Sequence, residues 1–210
     1  MILTEKQSRI PLVGAGADCY HLSIMNMNEG LSMEKVLRVD VAKPEDAIGI
    51  ARVRHETWLA TYPNAETGVT PEDILAKNLQ SEDQIKRWRK GIEDETGTRK
   101  IWVAKNDAGE VVGYGQGKKG ESENEIWGLY VLPAYQGKGL GSKLMKSVMD
   151  WLGDDKPTTL SVAAYSSNAI ELYKRFGFVE VDEPGVGPVF ASGATVTSIK
   201  MVRSKKGKMR

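Results

Sequence analysis

Residues 125–142 read Glu-Ile-Trp-Gly-Leu-Tyr-Val-Leu-Pro-Ala-Tyr-Gln-Gly-Lys-Gly-Leu-Gly-Ser, and this stretch decides the fold of the 210-residue chain. The apolar, aromatic and branched run over 126–132 is typical of a strand, and Pro133 should end its regular pairing because proline has no N–H to donate. Glycine then stands at every second position from 137 to 141. Beyond the glycines, apolar residues recur every fourth position, as on one buried face of a helix: Leu140, Leu144, Val148 and Leu152. The stretch therefore predicts a strand, a glycine-rich turn and a helix.

The start of that helix is predicted to bind an anion. The first N–H groups of a helix have no internal acceptor, and glycines let the backbone approach a phosphate closely. A nucleotide P-loop needs Gly-Lys-Ser/Thr, whereas this chain has Gly141-Ser142-Lys143. A dinucleotide-binding fingerprint needs a third glycine where Ser142 stands. Both of these interpretations fail, and a glycine-rich turn without a ligand remains an alternative.

Two motifs carry a resemblance to a known family. Gln136-Gly-Lys-Gly-Leu-Gly141 resembles the acetyl-CoA loop of the GCN5-related N-acetyltransferases (GNAT family), whose pattern is Gln/Arg-x-x-Gly-x-Gly/Ala. Residues 169–178, Ala-Ile-Glu-Leu-Tyr-Lys-Arg-Phe-Gly-Phe, are similar to the family's second signature, in which a short helix ends at a glycine, here Gly177, and runs into a strand. The interval between the motifs leaves room for one helix and one strand. The resemblance covers residues 36–203.

The resemblance implies an α/β fold with a mixed, mostly antiparallel sheet of six or seven strands, flanked by helices and splayed between strands 4 and 5. We expect an acetyltransferase domain over 36–203 and a basic tail over 204–210. Residues 1–35 are turn-rich without a sustained period. We expect them to be a disordered extension. A native start at Met25, Met27 or Met33, and a partner-binding or localising arm, are the alternatives.

Composition narrows the class of protein. A formal net charge of +1 gives no general attraction to nucleic acid or an anionic membrane, so neither is a predicted partner. Cys19 is the only cysteine, which excludes an internal disulfide and makes a reducing compartment the expectation. The first residues lack a basic region followed by a long apolar one. We therefore expect no signal peptide, and a cytoplasmic protein.

The resemblance implies that acetyl-CoA is the cosubstrate and that no metal takes part. The implied cofactor-binding residues lie on the central strand, the loop and the turn before the second motif: Leu129, Tyr130, Val131, Gln136, Gly137, Lys138, Gly139, Leu140, Gly141, Ser142, Ser166 and Asn168. Leu129 and Val131 would offer main-chain groups to the pantetheine arm. Ser166 stands where many members have an asparagine that contacts the cofactor. We expect Ser166 or Asn168 to make a weaker version of that contact with acetyl-CoA.

Two residues are the implied catalytic pair. Glu125 lies four positions before Leu129, where the lysine-acetylating branch of the family has its base; a strand-edge carboxylate without a role is the alternative. Tyr173 occupies the place of the family's general acid. A phenol with a pKa of ~10 is protonated at neutral pH and can therefore donate a proton. Its alternative is a core aromatic. The branch that acetylates protein N-termini has its glutamate on the next strand, where this chain has Ser161.

The expected reaction is direct N-acetyl transfer from acetyl-CoA to a primary amine of a small molecule or peptide. His55, Glu56, Trp58 and Tyr62 mark the predicted acceptor side, where His55 and Glu56 could also be a solvated helix face. A non-catalytic acyl-CoA-binding or regulatory module is the alternative function, and transfer of another acyl group is a third. The oligomeric state stays open, with a homodimer among the alternatives.

Overall fold

Seven strands form one sheet over the residues that the computed structural model describes, 38–205. The strands are β1 (Arg38–Val41), β2 (Arg99–Lys105), β3 (Val111–Lys119), β4 (Asn124–Val131), β5 (Thr158–Ala163), β6 (Val179–Pro184) and β7 (Ser198–Arg203). The helices are α1 (Ala47–Thr61), α2 (Pro71–Ala76), α3 (Glu82–Ile92), α4 (Leu140–Leu152) and α5 (Ser167–Arg175). Short 3-10 turns, Pro44–Asp46 and Pro133–Tyr135, precede α1 and follow β4.

The strand order is β1-β2-β3-β4-β5-β7-β6. Neighbouring strands are antiparallel except β4 and β5, which run parallel. The prediction of a mixed, mostly antiparallel sheet of six or seven strands flanked by helices is thus confirmed, with seven strands.

The parallel pair opens after three positions. Asn124, Glu125 and Ile126 pair with β5, and no residue of β4 beyond them does. The Leu132 N–H donates to the Val112 carbonyl on the β3 side at 2.9 Å. Since backbone groups of successive strand residues point to alternate sides, those of Val131 and Leu129 point toward β5, where no strand pairs with them. This is the predicted splay between strands 4 and 5.

The two faces of the sheet pack against different helices. Glycines on β3 let α4 lie close to one face, because a Cβ on Gly115 or on Gly117 would stand only 3.1 Å from Val148 of α4. On the other face the Tyr114 ring meets Trp88 of α3 edge-on, with centroids 5.3 Å apart. The burial of both faces places the core on each side of β2, β3 and β4.

The strand predicted over 126–132 and the helix predicted after the glycines agree with β4 and α4 to within a few residues. Thr70 caps α2 by accepting from the Asp73 N–H, as its sequence position predicts. Gly177 has φ +86° after α5, and the Phe178 N–H returns to the Tyr173 carbonyl at 3.1 Å. The residue pattern over 195–202 predicts the last strand, beginning at Thr195.

That last expectation is wrong by three residues. Thr195 pairs instead with Val189 in an isolated bridge, so β7 begins at Ser198. The predicted extension 1–35, Cys19 and residues 206–210 lie outside the described residues. Within 38–205, no helix is both long and apolar enough to cross a bilayer.

Candidate active site

A cleft of about 1740 Å³ begins at the opening between β4 and β5. One part of it, which we call the loop half, is lined by residues 136–142, the open edge of β4 and the start of α5. The other part, the aromatic half, is lined by α1, α3 and the facing side chains of β2, β3 and β4. All predicted cofactor-binding residues except Lys138 line the cleft.

The glycine loop presents a row of free donors. Gly137 and Gly139 adopt φ of +73° and +74°, a region that side-chain-bearing residues rarely occupy. Gly139 is the N-cap of α4, and the first helical hydrogen bond runs from the Lys143 N–H to its carbonyl at 3.1 Å. The six backbone N–H groups of residues 137–142 have no acceptor among the described residues. Such a row at a helix N-terminus is suited to a phosphate.

Side chains fix the loop against its neighbours. The Gln136 amide donates to the Val131 carbonyl at 2.9 Å and so ties the loop to the end of β4. Lys138 turns away from the cleft, donating to the Ala134 carbonyl at 2.9 Å. Gly141 has ordinary helical backbone, but a Cβ there would lie 3.3 Å from Leu172 of α5. This glycine therefore serves close helix packing rather than positive φ.

Glu125 lies on the cleft beside an exposed tryptophan. Its carboxylate accepts a hydrogen bond from the indole N–H of Trp127, whose side chain is 43% exposed. Trp127 is a bulged residue with no partner on β3, between Ile126 and Gly128. Arg99 and Lys118 stand over its ring at 5.0 and 4.7 Å from the centroid. The bulge thus brings the predicted base together with an indole and two cations.

Tyr173 lies on α5 and reaches the cleft from the loop half. It is buried, and its hydroxyl forms no hydrogen bond with another described residue. Burial, and next the neighbouring Tyr130, raise the pKa of Tyr173 above its ordinary value, which keeps the phenol protonated. Ser166 is the N-cap of α5 without a side-chain cap bond, and with Asn168 it lines the same wall.

The aromatic half is a cluster of tryptophan and tyrosine side chains. The hydroxyl groups of Tyr62 and Tyr130 are 3.1 Å apart, and the Tyr130 ring lies 5.3 Å from that of Tyr114. Trp58 packs on Tyr62 at 5.0 Å. Sequence reasoning identified Trp58 and Tyr62 for this side, and Tyr130 only for the cofactor. It missed Tyr114 and Trp88, whose positions depend on sheet register and helix packing.

Two other residues that sequence reasoning considered do not line the cleft. Glu56 pairs with Arg52 at 3.3 Å on the outer face of α1. The Nδ1 atom of His55 is buried without a hydrogen-bond partner. Neither is placed to meet an acceptor in the cleft. Within residues 38–205, no group of three or more histidine, cysteine, aspartate or glutamate side chains could hold a metal ion.

Comparisons with known proteins agree with this geometry. The sequence model of a family described as the acetyltransferase (GNAT) family matches residues 51–178. The solved structure of PaiA N-acetyltransferase from Thermoplasma acidophilum, in complex with coenzyme A, is 17% identical with a TM-score of 0.61, covering 80% of this chain and 98% of that one. A search of curated proteins finds no match.

Two further structures share the fold. YncA, described as a putative acetyltransferase from Salmonella typhimurium with its cofactor acetyl-CoA, is 19% identical with a TM-score of 0.60, covering 83% of this chain and 96% of that one. The ribosomal-protein-S18-alanine N-acetyltransferase from Escherichia coli is 20% identical with a TM-score of 0.52, covering 83% and 98%. At these identities the likeness concerns the fold.

Proposed function

Because the chain belongs to the GNAT acetyltransferase family, we propose that it transfers the acetyl group of acetyl-CoA directly to a primary amine. The observation that carries the proposal is the row of six free N–H groups over 137–142, beside the open edge of β4. The structures of PaiA with coenzyme A and of YncA with acetyl-CoA support the choice of cosubstrate.

The loop half suits the long, anionic shape of acetyl-CoA. The free N–H groups of the glycine loop would hold the pyrophosphate, where the positive end of the α4 dipole favours negative charge. The main-chain groups of Leu129 and the N–H of Val131 would meet the amide groups of the pantetheine arm. The Val131 carbonyl is already bound to Gln136, which fixes the edge that the arm would follow.

Glu125 and Tyr173 supply the proton transfers in this proposal. A protonated amine gives one proton, through water, to Glu125, and the free amine attacks the thioester carbonyl carbon. The C–N bond forms as the C–S bond breaks, and the departing thiolate takes the proton of the Tyr173 hydroxyl. The second proton shed by the nitrogen passes to solvent, from which the tyrosinate is reprotonated.

The aromatic half is the proposed acceptor side. Its ring cluster and Glu125 lie on the same cleft as Tyr173, so an amine bound among the rings could approach a thioester at the β4 edge. Glu125 is itself exposed, which is consistent with proton transfer from the amine to its carboxylate through water.

The test is release of free thiol from acetyl-CoA in the presence of a panel of amines, with mass spectrometry of the acetylated product. The panel contains amino acids, polyamines, aminoglycosides and lysine peptides. We expect acceptor-dependent thiol release by the wild-type protein. Tight acetyl-CoA binding without turnover of any amine would contradict the proposal and favour a non-catalytic acyl-CoA-binding module.

A further inference from the structure

Arg54 is exceptional among the half-buried arginines of residues 38–205. Four arginines have this intermediate exposure: Arg52, Arg54, Arg99 and Arg203. Arg52 contacts the Glu56 carboxylate and the Val111 carbonyl, at 3.3 and 2.8 Å, and Arg203 pairs with Asp154 at 2.9 Å. The Arg54 guanidinium has neither an ion pair nor a hydrogen-bond acceptor among the described residues.

Arg99 shows what a satisfied guanidinium in this cleft looks like. With its amide oriented to present oxygen, Gln116 accepts from Arg99 Nη2 and Nε at 2.9 and 2.7 Å. Asp94, which also lies on the cleft, adds a nearby negative charge that opposes the lowering of the Arg99 pKa by burial. The burial of a planar cation without such partners is costly. Binding of an anion by the half-buried Arg54 guanidinium would therefore offset the cost of its burial.

Aromatic rings hold Arg54 in place without using its donors. The guanidinium carbon lies 4.5 Å from the Trp58 ring centroid and 5.9 Å from that of Trp88, at cation–π distance. Stacking on ring faces leaves the edge of the guanidinium, with its five N–H donors, available in the plane. Arg54 and both tryptophans line the aromatic half of the cleft.

The surrounding charge is positive. Arg54, Arg87, Lys90, Arg99 and Lys118 line this part of the cleft on α1, α3, β2 and β3, against the carboxylates of Asp94 and Glu125. The Asp94 carboxylate accepts hydrogen bonds from Thr96, and that of Glu125 from Trp127. A site for a purely cationic acceptor, such as a polyamine, would require the opposite balance.

We propose that the acceptor amine also carries an anionic group, a carboxylate or a phosphonate, and that Arg54 binds this group in the aromatic half of the cleft. The inference rests on the proposed acetyl transfer and names its substrate class. A carboxylate or phosphonate accepts two parallel bonds from the guanidinium edge, and the low polarity of the ring cluster strengthens that contact. The amine of the same molecule is then free to face Glu125.

The experiment compares kcat/KM for matched acceptors: free amino acids, the corresponding amino-acid amides, and aminophosphonates. The proteins are wild type, Arg54→Met, Arg54→Lys, and Arg89→Met as control. Arg89 lies on α3 outside the cleft residues, and its replacement removes the same charge. The readout is the acid-to-amide ratio, because a structural role of Arg54 would lower both values together.

We expect the wild type to prefer the acid, and Arg54→Met to lower the acid-to-amide ratio by about 10- to 100-fold, the value of a charge-assisted hydrogen bond. Arg54→Lys should give an intermediate ratio, because lysine keeps the positive charge but cannot form the two parallel hydrogen bonds of a guanidinium. This variant serves as the test if Arg54→Met does not fold. Arg89→Met should leave the ratio unchanged.

The possible failures are distinguishable. Turnover of amides or polyamines, with the same acid-to-amide ratio in the wild type and the Arg54 variants, would overturn the inference. The proposal of acetyl transfer would be unaffected. Absence of thiol release with every acceptor, in a protein that binds acetyl-CoA, would overturn both. If substitution of Arg54 lowers kcat/KM for the free amino acids alone, the planar guanidinium sets the preference by its geometry. If kcat/KM for the aminophosphonates falls equally, the negative charge of the acceptor sets it. Both of the last results support the inference.

Discussion

The hydroxyl groups of Tyr62 and Tyr130 lie 3.1 Å apart, and this contact joins the C-terminal end of α1 to the open strand β4. Tyr165, in the loop after β5, donates a hydrogen bond from its hydroxyl to the Tyr62 carbonyl over 3.2 Å. Burial, and then the charge of neighbouring Tyr130, raise the pKa of Tyr62 far above its ordinary value, so its hydroxyl stays protonated. The two tyrosines therefore tie the acceptor side to the edge where the thioester is proposed to lie.

Tyr62→Phe should weaken acceptor binding more than acetyl-CoA binding. The change removes one hydrogen bond and keeps the ring packed on Trp58, so the free energy of unfolding should fall by about 1 kcal/mol. Denaturant unfolding measures that loss, and steady-state kinetics should show a raised KM for the amine. Unchanged acceptor KM, or a loss of acetyl-CoA affinity instead, would contradict the assignment of this contact to the acceptor side.

Gly139→Val should weaken acetyl-CoA binding severely. Gly139 has φ +74° and open space around its Cβ position, so the penalty comes from the backbone conformation, about 1–2 kcal/mol or more for a branched residue. Relaxation of that strain would disturb the row of N–H groups over 137–142. Isothermal titration calorimetry of the folded variant with acetyl-CoA measures the effect.

Gly109→Val is the matched control for that variant. Gly109 has φ +78°, equally open surroundings and a place in the β2–β3 turn outside the cleft residues. It should lower stability by a similar amount and leave acetyl-CoA affinity unchanged. Equal loss of affinity in both variants would show that general destabilisation, and not the loop, is responsible.

The fold was predictable because its main signals are local. The run over 126–132, Pro133 and the alternate glycines mark a strand, a stop and a helix start within eighteen residues. Helix starts at Thr70 and Ser81 follow the same capping chemistry, and both side chains accept from the third residue on. The open edge of β4, by contrast, was an implication of family resemblance.

The aromatic half of the cleft was less predictable because it is assembled from distant segments. Trp127 reaches Arg99 and Lys118 through a bulge that nothing in the residue pattern of β4 signals. Trp88 reads in sequence as one more apolar residue of α3, and its contact with Arg54 exists only once α1 and α3 pack together. The free guanidinium of Arg54 is likewise a property of the fold.

Glu125→Gln should slow the reaction mainly at pH values below the pKa of the acceptor amine. Glutamine keeps the size and the contact with Trp127 but cannot take a proton, and loss of a general base commonly costs about 10²–10⁴-fold. Activity should recover as pH rises, because an increasing fraction of the amine then loses its proton to solvent. The kcat/KM profile against pH measures this.

Glu123→Gln is the control for the base. Glu123 is exposed, two residues before Glu125, and outside the cleft residues. Its replacement should leave the profile as in the wild type. A Glu125→Gln profile that coincides with the wild type would exclude Glu125 as the base. His55 and Glu56 do not line the cleft, so Asp94, the other carboxylate of the aromatic half, would then be tested in the same way.

Tyr173→Phe tests the proposed general acid. The substitution deletes one hydroxyl that has no hydrogen-bond partner among the described residues, so the ring and its packing on Phe178, with centroids 6.2 Å apart, should survive. If the hydroxyl protonates the thiolate, kcat should fall while acetyl-CoA affinity stays near the wild-type value. The loss should be moderate, because a thiolate can leave without help. Pre-steady-state turnover isolates the chemical step.

The pH dependence of Tyr173 gives an independent check. A phenol acts as an acid only while it is protonated, and burial raises the pKa of Tyr173 above its ordinary value of about 10. The acid form is therefore fully present at neutral pH, and activity that depends on it should decline only above pH ~10. Below that pH, Tyr173→Phe should therefore be slower than the wild type by a constant factor. If wild type and Tyr173→Phe have equal kcat where chemistry limits the rate, Tyr173 is a core aromatic; if affinity for acetyl-CoA is lost instead, it is a binding residue.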